Sequence, residues 1–211
     1  LQFTNKRGAE VTLERAYLHV GAVYLNELVP ATGAGVQPCI SSGIYAGQAF
    51  ANLDVDLLTS SPQHFPDPGQ GTENRARTAE VWLTGGDINA TEDATVIFDI
   101  AGTSVQDAIA YPFEGEITIG SNRAVTPANS AEPGASPICQ QRIVTPIAVD
   151  FTANDGGRLH LAIDPRAVLA DVDFSRLTGT EIPDTNDGVG AAVFRGLQRD
   201  AGVYSFTWLD R

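Results

Sequence analysis

The sequence predicts an all-β protein, an antiparallel β-sandwich of about eight to ten strands with one short helix near the C-terminus, formed by residues 1–211 as a single domain. Three observations carry this expectation. Apolar residues recur mainly with period two, the spacing of a half-buried strand. Gly, Pro, Asn and Ser collect between the alternating runs, where the chain must turn. Helical spacing is only local, whereas a parallel α/β fold would need a helix between most strands. At 211 residues the chain suits one large β unit and can enclose a real core.

A short first strand is expected around Gln2-Phe3-Thr4. Val11, Leu13, Leu18, Val20, Val23 and Leu25 then change parity across Arg15-Ala16 and again at Gly21-Ala22. A long strand broken by bulges, or a tight hairpin, gives that pattern. Segments 43–50, 78–84 and 203–209 supply further strands. Val96, Phe98 and Ile100 alternate with Thr95, Ile97 and Asp99, and Phe113, Ile117 and Ile119 share a face across Gly115. Ile143, Thr145, Ile147, Val149 and Phe151 form another run, but Pro146 has no N–H to give a ladder, so an edge strand or a bulge is expected. Phe3, Ile143 and Pro146 therefore mark the expected sheet edges. Leu159, Leu161 and Ile163 face a core while Arg158, His160 and Ala162 face out, and Asn154-Asp155-Gly156-Gly157 reads as a hairpin turn before them.

Two helical signals are present. Asp164-Pro165 pairs an N-cap with proline at the first helical position, which predicts one short turn over 165–170. Val189, Val193 and Leu197 share one face of a helix over 189–201, with Asn186 and Asp187 as cap candidates and Gly202 as the stop. Stretches 30–38, 60–74 and 126–137 read as long loops, which in a compact domain often carry function.

Composition excludes several functions. With 43% hydrophobic and 18% charged residues, wholesale disorder is not expected. A net charge of −13 with a single lysine, Lys6, makes binding to nucleic acid unfavourable, and no polybasic stretch exists to attract anionic lipid. There is no apolar run long enough for a transmembrane segment. No signal peptide is recognisable, which fits a mature chain or a cytosolic one.

Cys39 and Cys139 are too far apart for a C-x-x-C motif or a two-cysteine zinc knuckle. Each lies beside a turn signal, so a loop-to-loop disulfide is expected. It would close a loop of about 100 residues and contribute roughly 4 to 5 kcal/mol on the chain-entropy model. Disulfides persist outside the reducing cytosol, so the bridge predicts an extracytoplasmic location, in the periplasm, on the outer surface or secreted. Two unpaired thiols in a cytosolic protein are the alternative.

Candidate sites are sparse. His19, His64 and His160 belong to no H-E-x-x-H or H-x-H pattern, although convergence in space could still create a copper or other metal site. Asp54 with Asp56, and Asp171 with Asp173, would each present two carboxylates about 6.5 to 7 Å apart if extended, within the roughly 5 to 9.5 Å that glycan hydrolysis uses. Asp184, Asn186 and Asp187 carry the oxygen ligands of a calcium loop, but the glycine comes one residue early for an EF-hand and no glutamate closes it. Nucleophile elbows and phosphate-cradling glycine loops are missing. Tyr204, Phe206 and Trp208 alternate on the last strand, a stripe that suits core packing.

Arg7-Gly8-Ala9-Glu10-Val11-Thr12-Leu13 through Val20-Gly21, Cys139-Gln140-Gln141-Arg142-Ile143-Val144, Ile163-Asp164-Pro165-Arg166 with Val172-Asp173-Phe174, and Gly202-Val203-Tyr204-Ser205-Phe206-Thr207-Trp208 together resemble uncharacterised secreted lipoproteins of Gram-negative bacteria. The resemblance spans nearly the whole chain as short strings. It implies an envelope or surface location and a β-rich fold, and no catalytic residue. The expected function is thus non-enzymatic: a binding module, or a subunit of an extracellular assembly, with other envelope proteins or copies of itself as partners. No cofactor beyond calcium is expected. The alternatives are a calcium- or copper-binding envelope protein and a glycan hydrolase using the paired aspartates.

Overall fold

The computed structural model describes residues 1–28, 45–84, 94–120, 147–199 and 202–210. In chain order these form β1 (Gln2–Thr4), β2 (Glu10–Asn26), β3 (Tyr45–Asp56), β4 (Gln70–Gly71), β5 (Arg75–Trp82), β6 (Val96–Gln106), β7 (Ile109–Thr118), β8 (Ile147–Thr152), β9 (Arg158–Ile163), α1 (Pro165–Val168), a 3₁₀ turn (Phe174–Arg176), α2 (Gly188–Leu197) and β10 (Tyr204–Leu209). The protein is mostly β, and the paired strands among the described residues run antiparallel.

Strand β2 organises the larger sheet. Its first half pairs with β1 and β6, and β6 pairs with β7; its second half lies between β3 and β5, which continue to β4 and β8. The parity changes in its sequence are bulges and not a hairpin, since the ladder shifts between Leu13 and Arg15 and between Val20 and Ala22. The extra residue lies in β2 at the first shift, where Leu13–Arg15 opposes Gly102–Ala101, and in β3 at the second, where Val20–Ala22 opposes Leu53–Phe50. Both shifts let the sheet turn while the apolar side chains of β2 stay on one face. Val11, Leu13, Ala16, Leu18, Val20 and Val23 consequently all reach the main core. A shift between Val96 and Phe98 does the same in β6, where Ile97 and Phe98 are both buried instead of alternating.

The inner face of this sheet is covered by the C-terminal elements. Phe174 stacks on Phe113 of β7, their ring centroids 4.3 Å apart, and Val189, Val193 and Leu197 of α2 join the same core. The β9–β10 ladder forms a separate two-stranded sheet whose Leu159 and Phe206 pack against Leu25, Ala46, Ala76 and Ala79. The turn at Asn154–Gly157 corrects the expected hairpin: β8 pairs with β5 and β9 with β10, so the turn carries the chain from one sheet to the other. His160 is exposed on β9. Among the described strands β1 bonds only to β2, and β8 only to β5. Ile143 and Pro146, the other expected edge residues, lie outside the described residues, as do Cys39 and Cys139.

Local chemistry fixes the C-terminal elements. Asp164 accepts the Arg166 N–H at 2.9 Å and caps α1, with Pro165 at its start. Helix α2 ends at Leu197, earlier than the 201 expected, and is followed by Gly202 at φ +83° before β10. Among the described residues no helix is long and apolar enough to cross a membrane.

Candidate functional site

The sheet face turned away from the main core carries two different surfaces. Cross-strand partners share a face, so the register lays out both. Around the middle of β2, Tyr17 lies between Asp56 of β3 and Asp99 of β6, and Glu116 of β7 follows Asp99. His19 lies beside Asp54, with His19 Nδ1 2.7 Å from Asp54 Oδ1, and Arg15 Nε donates to Asp99 Oδ1 at 2.9 Å.

Around the end of β2 the face is aromatic. Tyr24 is buried and is flanked by Tyr45, Phe50 and Trp82, with ring centroids 5.5, 6.2 and 4.9 Å from its own. Trp82 is buried too, and its Nε1 donates to Glu80 Oε2 at 3.3 Å. Tyr45 and Phe50, by contrast, keep 48% and 47% of their surface in water. Gln48 pairs with Tyr24 across one edge of β3 and with Gln70 of β4 across the other, so both amides share the face of the exposed rings. Alternation alone misses this surface, because positions 45 and 50 differ in parity and would point to opposite sides of a regular strand. The ladder shift between Leu25 and Asn26 inserts Ala46 as the extra residue and brings both rings to one face.

The aspartate pairs do not form one site. Asp54 and Asp56 share a face of β3, where Asp56 also accepts the Leu58 N–H at 2.9 Å and so holds a turn. Asp171 and Asp173 are not in an extended strand. Asp171 sits in a turn and pairs with Arg199, whose guanidinium holds its carboxyl below the usual carboxylate range. Asp173 caps the 3₁₀ turn, accepting from Ser175 N at 3.2 Å and Ser175 Oγ at 2.6 Å. The Asp171 carbonyl accepts from Arg7 Nε, next to the start of β2, whereas Asp54 and Asp56 lie beside Tyr17 and His19. Glu10 to Tyr17 along a strand is roughly 23 Å at 3.3 Å per residue, beyond the spacing of a two-carboxylate mechanism.

Asp184 accepts from Thr118 Oγ1 at 2.5 Å, and Asp187, which precedes α2, accepts from Thr185 Oγ1 at 2.9 Å. Asn186 between them is exposed. Among the described residues no group of three or more His, Cys, Asp or Glu side chains converges on a point. An open groove of about 590 Å³ runs along Ile163–Arg166 and Gly202–Ser205. Its Asp164 and Arg166 are already bonded to each other, at 2.8 to 3.1 Å.

Comparison with protein-family models, with curated proteins and with solved structures gives no match. The class of protein is therefore set by the fold and this face: an acidic, mostly antiparallel β protein with an aromatic patch on its outer sheet surface.

Proposed function

We propose that this chain is a non-enzymatic extracytoplasmic or cell-surface protein, acting as a binding module or as a subunit of an extracellular assembly. The observation that supports this reading is the outer face of the larger sheet, where Tyr45 and Phe50 stay half exposed beside a buried aromatic cluster. Grouped aromatic side chains left in water mark a surface that meets a partner. The acidic side chains give the reading indirect support. Asp171 and Asp173 are committed to an ion pair and a cap, and the Asp171 carboxyl is pushed the opposite way from a general acid working near neutrality.

The Cys39–Cys139 bridge belongs to the same proposal and supplies its compartment. Fractionation of the native cell, with mass spectrometry of unreduced protein, tests the location. The expected result is recovery from the envelope or the medium with the two cysteines joined; a cytosolic protein with two alkylatable thiols overturns it. Light scattering at high concentration and co-sedimentation with envelope material test the function. A strict monomer that sediments with nothing overturns the binding reading.

A further inference from the structure

We infer that the outer face formed by β3, β4 and the end of β2 binds an uncharged glycan chain, an inference that rests on the binding-module reading and names its ligand class. Tyr45 and Phe50 are the two platforms. Both flank the Tyr24 ring, so their centroids are no further apart than the 5.5 and 6.2 Å separations placed end to end. That span suits neighbouring sugars of an oligosaccharide, whose apolar C–H faces lie on aromatic rings.

Two amides share the face with the rings. Gln48 and Gln70 are cross-strand neighbours on this face. An amide offers both donors and acceptors, which is the complement of a sugar hydroxyl. A surface made for a protein core would be expected to continue apolar here, since amides left facing an apolar partner lose their hydrogen bonds to water.

Charge narrows the ligand further. Tyr45, Gln48, Phe50 and Gln70 carry no ionised group, on a protein whose net charge is −13. Glu80, opposite Tyr24 on this face, is buried and accepts from Trp82 Nε1, while Asp54, Asp56 and Asp99 lie toward the middle of β2, around Tyr17. An anionic polysaccharide would be repelled by the whole molecule, whereas a neutral one is indifferent to it.

The probes are soluble neutral polysaccharides (a β-glucan, an arabinoxylan, a galactomannan and an α-glucan) set in native affinity gels, with polygalacturonate as the anionic comparison. The expected result is retardation of the full chain by at least one neutral polymer and none by polygalacturonate. Tyr45→Ala and Phe50→Ala should each weaken that binding about tenfold or more, while Phe50→Tyr retains it. Leu209→Ala, which removes an equally exposed apolar side chain from β10, should leave it unchanged. Circular dichroism and melting temperature establish that each variant is folded. No retardation by any neutral polymer, or unchanged retardation in both alanine variants, overturns the inference. If the wild type self-associates and both alanine variants are monomeric, the face is an interface between copies: the glycan inference fails and the binding-module reading survives. Failure of both requires in addition a monomer that sediments with no envelope material.

Discussion

Asn5 and Val172, 167 positions apart in sequence, are joined by a 2.9 Å hydrogen bond from the Asn5 side-chain amide to the Val172 carbonyl. The same side chain accepts the N–H groups of Arg7 at 2.9 Å and Ala9 at 3.1 Å. It therefore shapes the turn between β1 and β2 and ties that turn to the segment after α1. Asn5→Ala would leave buried backbone groups unpaired, and we expect a loss of about 2 to 4 kcal/mol in denaturant unfolding. A change under about 0.5 kcal/mol, the size of a neutral surface substitution, would contradict this account.

Helix α2 meets α1 at backbone distance. A Cβ added to Gly196 would lie 2.0 Å from the Val168 carbonyl oxygen, which is backbone and cannot rotate aside. Gly196→Ala should thus destabilise by about 2 kcal/mol or more, although alanine is the better helix former by about 1 kcal/mol. Arg195→Ala, an exposed position one residue earlier, should be near neutral in the same assay.

The β6–β7 hairpin turns through Asp107 at φ +51° and Ala108 at φ +61°, both in the left-handed region. Asp tolerates this geometry, whereas Ala places a Cβ against the following carbonyl. Ala108→Gly should stabilise by about 0.5 to 1 kcal/mol and raise the melting temperature by about 1 to 4 °C. An unchanged or lower melting temperature would argue against strain at this turn.

Acid stability should depend on ion pairs. Arg199 lowers the pKa of Asp171, and Arg166 lowers that of Asp164. A carboxyl whose folded pKa lies below its unfolded value stabilises fully above the unfolded value, about 3.8 for Asp, and loses this as pH falls toward the folded pKa. Unfolding curves taken between pH 6 and 2 should therefore show a decline setting in near pH 4. Asp171→Asn should flatten part of that decline, and added salt should do the same because these groups face solvent. An identical acid limb in the variant would remove Asp171 from the explanation.

At the alkaline end the responsible group is Tyr204. Its hydroxyl is buried and donates to the Leu197 carbonyl at 3.0 Å, joining β10 to the end of α2, and burial pushes its pKa far above the ordinary phenol value. A folded pKa raised above the unfolded one gives stability that is present below about pH 10 and lost as pH rises. Ultraviolet titration should find the Tyr204 phenol silent until the protein unfolds. Tyr204→Phe should remove that signal and cost about 1 to 2 kcal/mol.

Much of this molecule was determined by the sequence alone. Period-two runs predicted β5, β6, β7, β9 and β10 near their observed positions, and the parity changes at Arg15 and Gly21 marked real bulges, because a strand with one face in a core must keep its apolar side chains on that face. Asp164-Pro165 announced α1 because capping is a contact between near neighbours. Other features depended on partners distant in sequence. The Asn154–Gly157 turn has the residues of a hairpin, yet it joins two sheets, since turn residues fix the local bend and not which strands then pair. Asp171 and Asp173 carry the spacing of a strand pair, but Arg199 and Ser175 hold them in turns. Tyr45 and Phe50 share a face only because the ladder to β2 slips at Leu25, a register that pairing with β2 imposes and that no periodicity within 45–50 could reveal.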